Sequence, residues 1–514
     1  MSWSEGYISE VDYTTGYFTE LSPALAEVAL LNRSIRTRSL ARPTYLELGF
    51  GQGLSYAIHC ATVPGELWGT DFNPGQAAST EEMVRASGSD ARVLDASFAE
   101  LAERDDLPEF DMIALHGIWS WIGPENRRVI VDIARKKLKP GGVFYVSYNV
   151  MPGWAPIAPL RHLLDIHASR GSAEGTGLLN RLDSAMEFAE KVSSAGALYF
   201  KAHPRVLERL QKMKDKNRKY LAHEFLNAEW HPMPFSQLVT ELEPAKLSFA
   251  VSATLIEQVD GLHLSAEGQA LVNSFTDVVL RETVRDFLAN QQFRRDYFVR
   301  GSRRLPGLMQ AEKLRAALVV LTEQASNIKF EVRGALGTAK LQESTYAPLV
   351  EALASEGARK KSLGELERVL EPKNIGLPSI VQAVTVLMGK NQLMPARADE
   401  VVNEVMPRTR ALNLHLMDRT RANSEIGYLA SPVTGTGIPV GRIDQLCLLA
   451  RSQGKRGAQA WADSVWETLS AQGQRVLREG KRVEEEAENR VELLKIASAF
   501  EKERLPVLER LGIA

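Results

Sequence analysis

The sequence predicts an α/β fold: a domain with a mostly parallel sheet at the N-terminal end, followed by mainly helical middle and C-terminal regions. Three observations carry this. From Pro43 to Tyr148 short apolar runs alternate with helical patterns, as in a parallel sheet with crossover helices. The first run leads straight into a glycine-rich turn, Gly49-Phe50-Gly51-Gln52-Gly53. After Met151-Pro152-Gly153-Trp154 the alternation stops and helical periodicity takes over.

The expected strands are Tyr45 to Leu48, Leu67 to Thr70, Ala91 to Leu94, Met112 to Leu115 and Val143 to Ser147. Ahead of them Ser22-Pro23 reads as an N-cap with proline at the first helical position. Residues 157 to 300 read as helical except for a strand-like passage at Leu247 to Val251, and Gly301 to Gly307 reads as a linker. Between 308 and 400, helices at Ser362 to Leu370 and Pro378 to Met388 suggest a small winged-helix-like unit. The charged stretch Arg482 to Lys495 reads as a solvated helix face. These features divide the chain at 1–165, 166–300, 301–404 and 405–514.

The chain has 514 residues, too many for one ordinary core. Its 62 basic and 64 acidic residues nearly cancel, which argues against a chain built to coat nucleic acid or an anionic membrane. The Pro378 to Lys390 helix carries few basic side chains for phosphate contacts, so packing or homodimerisation is its expected duty. Cys60 and Cys447, the only cysteines, support neither a disulfide framework nor a zinc site, and they fit a reducing compartment. With no signal-like N-terminus and no long apolar run, the expected location is the cytoplasm, without stable membrane insertion.

The chemistry starts at Glu47-Leu48-Gly49-Phe50-Gly51. A glycine turn between strand and helix lets a ligand approach the backbone, near free N–H groups. Dinucleotide sites need the spacing G-x-G-x-x-G, but Leu54 stands where the third glycine belongs and Gly53 falls one place early. Glu47 would repel a pyrophosphate and could instead face the ammonium of a methionine moiety. S-adenosylmethionine is therefore the favoured cofactor. Asp71, with Phe72 beside it, ends the second strand 24 residues after Glu47, suited to take ribose hydroxyls or else to cap a helix at Pro74. Asp95-Ala96 could read the adenine amino group, with capping of the Ser97 helix as the rival role.

The Lys139-Pro140-Gly141-Gly142 turn before the fifth strand completes a set of features resembling a Rossmann-like class I methyltransferase domain. His116-Gly117-Ile118-Trp119-Ser120-Trp121, Tyr148-Asn149, His223-Glu224-Phe225-Leu226-Asn227 and Tyr428 to Gly435 extend the likeness. Together they resemble the bacterial protein-lysine methyltransferases that carry a methyltransferase regulatory domain, some of which modify outer membrane proteins. The resemblance implies a protein substrate offering lysine side chains. A lysine amine must be neutral to attack, and aromatic walls desolvate it. Trp119, Trp121 and Tyr148 are the candidate walls, with core packing as the alternative. His116 is a candidate cofactor contact or proton acceptor, and Tyr13 and Tyr17 lie in a segment that approaches the active site in that family. A small-molecule methyltransferase with helical lids, or a cofactor-binding interaction protein, stays open.

Overall fold

A computed structural model describes residues 8, 10, 11, 14–173, 175–478 and 480–514; Tyr13 lies outside them. Seven strands form the main sheet: β1 (Thr44–Leu48), β2 (Glu66–Asp71), β3 (Arg92–Asp95), β4 (Phe110–Leu115), β5 (Leu138–Asn149), β6 (Leu247–Ser252) and β7 (Phe293–Arg300). Their order is β3-β2-β1-β4-β5-β7-β6, with β7 antiparallel to both neighbours and the first five strands parallel. All five strands expected between 43 and 148 are present. The Lys139–Gly142 turn is an irregularity inside β5, between the pairs Phe110–Leu138 and Met112–Val143.

Side chains alternate across the sheet as period 2 demands. Tyr45, Met112, Ala114, Val143 and Tyr145 face one core, while Leu46, Ile113, Leu115, Phe144 and Val146 face the other. The first core is covered by α1 (Pro23–Asn32), α2 (Leu54–Thr62), α3 (Pro74–Ser87) and the C-terminal modules; the second is covered mainly by α4 (Pro124–Lys137). Ser22 precedes Pro23 as expected, but its side chain makes no capping bond.

The strand-like passage expected at Leu247 to Val251 is β6, while the helical reading up to 300 is corrected at Phe293–Arg300, which is β7; both strands return past residue 165 to complete the sheet. Between β5 and β6 a helical insertion forms a core of its own: α5 (Ala158–Arg170), α6 (Leu178–Ser194), α7 (Pro204–Met213) and α8 (Arg218–Leu226). The sequence Phe293-Arg294-Arg295-Asp296 disguises its strand because two of its ions are buried. The Arg294 guanidinium donates to Asp296 at 2.7 Å, Asp286 at 2.7 Å and Glu282 at 3.1 Å. Buried charge is tolerated only when paired in this way, and the partners are brought together by folding.

Gly301–Gly307 is tied down rather than free, since Arg303–Arg304 pairs with Ile35–Arg36. In the following unit a three-stranded antiparallel sheet has Leu318–Leu321 at its centre. Ser362 caps the helix Leu363–Leu370 in a capping box with Glu365. Helix Leu377–Gly389 buries Ile380, Val384, Leu387 and Met388, so it is a core helix. The expected boundary at 404 falls inside the continuous helix Asp399–Arg419, which tolerates Pro407.

Candidate functional site

Above the C-terminal ends of β1, β2, β4 and β5, where open α/β sheets bind ligands, lies a cavity of about 1750 Å³. Glu47, Gly49, Phe50, Gly51, Asp71, Phe72, Ala96 and His116 all line it. The turn after β1 is pinned to β2 by the Gly49 and Phe50 N–H groups, which donate to the Thr70 carbonyl at 2.8 and 3.3 Å. Gly51 has φ +57° and open space where a side chain would stand, so a ligand can lie against bare backbone there. Gly53 serves packing instead: a Cβ would sit 1.9 Å from Thr80 Oγ1 of α3.

Asp71 is 5% exposed. The Gly51 N–H donates to its Oδ2 at 2.8 Å and the Asn73 N–H to its Oδ1 at 3.0 Å. These bonds hold the carboxyl rigid; the Gln76 side-chain amide also stands 3.1 Å from Oδ1 and 3.3 Å from Oδ2, and the remaining lone-pair capacity faces the cavity. Burial outweighs the backbone bonds and pushes its pKa up to about 6. Glu47 is buried one strand away. Tyr45 donates its hydroxyl to Glu47 Oε2 at 2.8 Å, and His59 Nδ1 stands 3.8 Å from the same oxygen. A diol acceptor at Asp71 and a carboxylate at Glu47, joined by an open glycine turn, suit the sugar and amino-acid ends of S-adenosylmethionine.

Asp95 is exposed at the end of β3, and beside it Ala96, Ser97 and Phe98 line the cavity. Ser97 accepts the Glu100 N–H at 3.3 Å in a capping box, so helix capping claims that hydroxyl.

At the far end of the cofactor half stands His116, stacked on Phe18 with ring centroids 3.8 Å apart. Its Nδ1 lies 2.7 Å from the Tyr145 hydroxyl, and Phe293 meets the ring edge-on at 6.0 Å. Burial, helped by Arg295, pushes the imidazole pKa down to about 3. A ring so weakly basic is a poor proton acceptor at neutral pH, which suits it to neutral hydrogen bonding.

Three expected site residues lie elsewhere. Trp119 is fully buried in the second core, and Tyr148 is buried there too, its hydroxyl donating to Asp296 Oδ2 at 2.9 Å. Trp119 and Trp121 lie two residues apart on a single 3₁₀ turn and so face different sides; Trp121 lines the cavity. Tyr17 points away, its hydroxyl 3.4 Å from His59 Nε2 and its ring against Gly437 of the C-terminal region. Phe18, the next residue along, takes the cavity-facing position.

Asn149 was missed by sequence reasoning. It lines the cavity at 4% exposure, opposite Phe293 in the ladder. Its amide Nδ2 is buried without a hydrogen-bond partner among the described residues. A desolvated amide left unbonded costs about 1–3 kcal/mol, so a ligand atom is its natural partner. The signal was present, because Tyr145, Ser147 and Asn149 share one strand face.

Two family models match the sequence: a methyltransferase domain over residues 46–142 and a predicted methyltransferase regulatory domain over residues 217–300. The second match spans α8, β6 and β7, so part of it belongs to the main sheet. An uncharacterized protein of Synechocystis sp. is 40% identical over 520 residues, covering 100% of both proteins. An uncharacterized protein of Rickettsia prowazekii is 25% identical over 255 residues, 48% of this chain and 44% of its own. Among solved structures, PKMT2 from Rickettsia typhi in complex with AdoHcy superposes with a TM-score of 0.71 at 16% identity, covering 98% of this chain and 100% of its own. The fold is therefore shared along nearly the whole chain.

Proposed function

We propose, from the premise that the chain belongs to the class I S-adenosylmethionine-dependent methyltransferases with a methyltransferase regulatory domain, that it methylates lysine side chains of a cell-envelope protein, an outer membrane protein in particular. One observation carries the choice of acceptor. The cavity does not close beyond His116 and Asn149 but runs on between the sheet and the helical insertion. Its volume, about 1750 Å³, exceeds the roughly 300–1,000 Å³ of ordinary small-molecule pockets. Space left over after a nucleoside cofactor suits a length of polypeptide better than an enclosed metabolite. The shared fold with PKMT2 agrees with this reading. The reading takes the cytoplasm as the place of reaction, before the acceptor reaches the envelope; among the described residues no helix is long and apolar enough to cross a membrane.

When bound, S-adenosylmethionine supplies a methyl group on a positively charged sulfur. The chain's own residues do the rest. Asp71 holds the ribose hydroxyls, Glu47 faces the amino group, and Phe18, Trp121 and Phe293 keep water from the reacting end. A free lysine amine has a pKa of ~10.4, and desolvation among rings favours its neutral form. His116 and Asn149 then orient the amine as uncharged hydrogen-bonding partners, and the lysine proton leaves to solvent before the amine docks.

Two measurements follow. Because His116 stays neutral at any pH well above 3, kcat/KM on a lysine peptide rises steadily from pH 7 toward 9, without an imidazole inflection near 6.5. An inflection there that vanishes in His116→Phe would make this imidazole a proton acceptor. Asn149→Ala lowers kcat/KM about tenfold, the worth of one buried hydrogen bond, with AdoHcy affinity unchanged; a fall in that affinity instead would assign the amide to the cofactor. The reading as a whole is tested by incubating the protein with methyl-labelled cofactor and a cell-envelope fraction, then hydrolysing the products. Labelled methyl-lysine is expected. Label confined to small molecules would remove the lysine assignment.

A further inference from the structure

Beyond His116 and Asn149 the cavity wall is supplied by the helical insertion, and its charges are unevenly paired. Arg205, Arg209 and Lys212 of α7 and Lys216 in the turn after it line the cavity. Spacings of four, three and four residues keep them on one side of the helix and its continuation. Among the described residues none of the four forms an ion pair. Arg209 donates to the Gln292 side-chain oxygen at 3.2 Å and lies 4.6 Å over the Trp154 ring. The Lys216 ammonium stands 5.9 Å from the Tyr220 ring. Their neighbours away from the cavity are paired: Lys214 sits 2.8 Å from Glu190, and Arg218 bonds Asp183. Lys214 and Arg218 are thus neutralised by close carboxylates, whereas among the described residues Arg205 and Lys212 have none, and Arg209 and Lys216 have only the more distant charge of Glu224.

Glu208 and Glu224 also line this wall, so the strip carries a net positive charge without being uniformly basic. A lysine arriving alone, still protonated in solvent, would meet a wall of net positive charge and be repelled. A lysine flanked by carboxylates would bring partners for them. Interspersed glutamates would repel an evenly charged phosphate backbone, whereas a polypeptide can place its acids beside the cations and neutral residues beside Glu208 and Glu224.

We propose that Arg205, Arg209, Lys212 and Lys216 form a docking strip for an acidic protein segment, so that the acceptor is a lysine set among aspartates and glutamates. The proposal rests on the lysine reading above and narrows its substrate class.

The test uses the full chain and three peptides that share one central lysine, with acidic, neutral amide or basic flanks. For the native protein kcat/KM on the acidic peptide is expected to exceed that on the neutral one by about tenfold, the sum of a few exposed ion pairs. The difference should lie mostly in KM and shrink as salt is raised. The triple variant R205E/K212E/K216E is expected to lose this preference while keeping its AdoHcy affinity and its turnover of the neutral peptide. Equal kcat/KM for acidic and neutral peptides in the native protein would overturn the proposal while leaving lysine methylation intact. So would a preference that survives in a triple variant of normal AdoHcy affinity. Tighter binding of a single-stranded RNA oligonucleotide than of the acidic peptide, lost in the triple variant, would give the strip to nucleic acid and also overturn it. If no lysine peptide were methylated, the lysine reading would fall and the proposal with it.

Discussion

If Asp71 holds the ribose as proposed, Asp71→Ala is expected to weaken AdoHcy binding about 10²-fold, measured by calorimetry, because a fixed carboxylate is lost and hydrogen bonds to a charged group are the strong ones. Asp71→Asn keeps one acceptor oxygen and should cost about tenfold. The pH dependence separates a ligand-holding role from a structural one. The folded pKa is raised from 3.8 to about 6, so whatever stability this carboxyl contributes is complete below 3.8 and is lost as pH rises through 6. At neutral pH the ionised, desolvated carboxylate is a stability cost retained for binding. Cofactor affinity in the native protein should therefore decline as pH falls below about 6, where protonation removes an acceptor. That decline should be absent from Asp71→Asn. An Ala variant that folds normally and binds AdoHcy as tightly as the native chain would place the ribose contact elsewhere.

Trp119→Ala is expected to destabilise the sheet by about 3–5 kcal/mol, the usual cost of removing a large buried aromatic side chain. Trp119 is fully buried beside Ile113, Leu115 and Phe144 in the second core. Its indole N–H has no partner among the described residues, so Trp119→Phe, which deletes an unbonded polar group along with some volume, should cost less. Hydrogen exchange is the suitable probe, because a chain of several cores does not unfold in one step. Protection should fall in β4 and β5, while the folded fraction keeps its cofactor affinity and turnover. Full protection with a selective loss of kcat would return the ring to the acceptor wall.

The parallel strands were legible because they are buried on both faces and read as short apolar runs between turns. The glycine turn was legible for a related reason: a ligand-binding bend after a strand needs residues without Cβ atoms, and few other arrangements do. Glu47 and Asp71 could be singled out because they stand at the C-terminal ends of consecutive strands. The errors were of two kinds. Along a short turn or extended segment, neighbouring aromatic residues look alike in composition but face different ways, and so Trp119 was offered alongside Trp121, and Tyr17 in place of Phe18. β7 was hidden because Arg294 and Asp296 read as surface charges until Asp286, Glu282 and Tyr148 are brought around them.

By itself the sequence determined the class of fold, the positions of its first five strands along the chain and the glycine turn after the first of them, because these depend on local periodicity and on backbone freedom at a few glycines. Only the tertiary structure decided which aromatic rings reach the cavity, that the Asn149 amide nitrogen has no partner among the described residues, that the last two strands come from beyond the helical insertion, and that four cations of that insertion make no close ion pair among those residues. Each of these depends on which atoms meet across long stretches of chain. Desolvation and charge pairing act through space: the carboxylates around Arg294 lie within 12 residues of it, but the Tyr148 hydroxyl that joins them comes from 148 residues before Asp296.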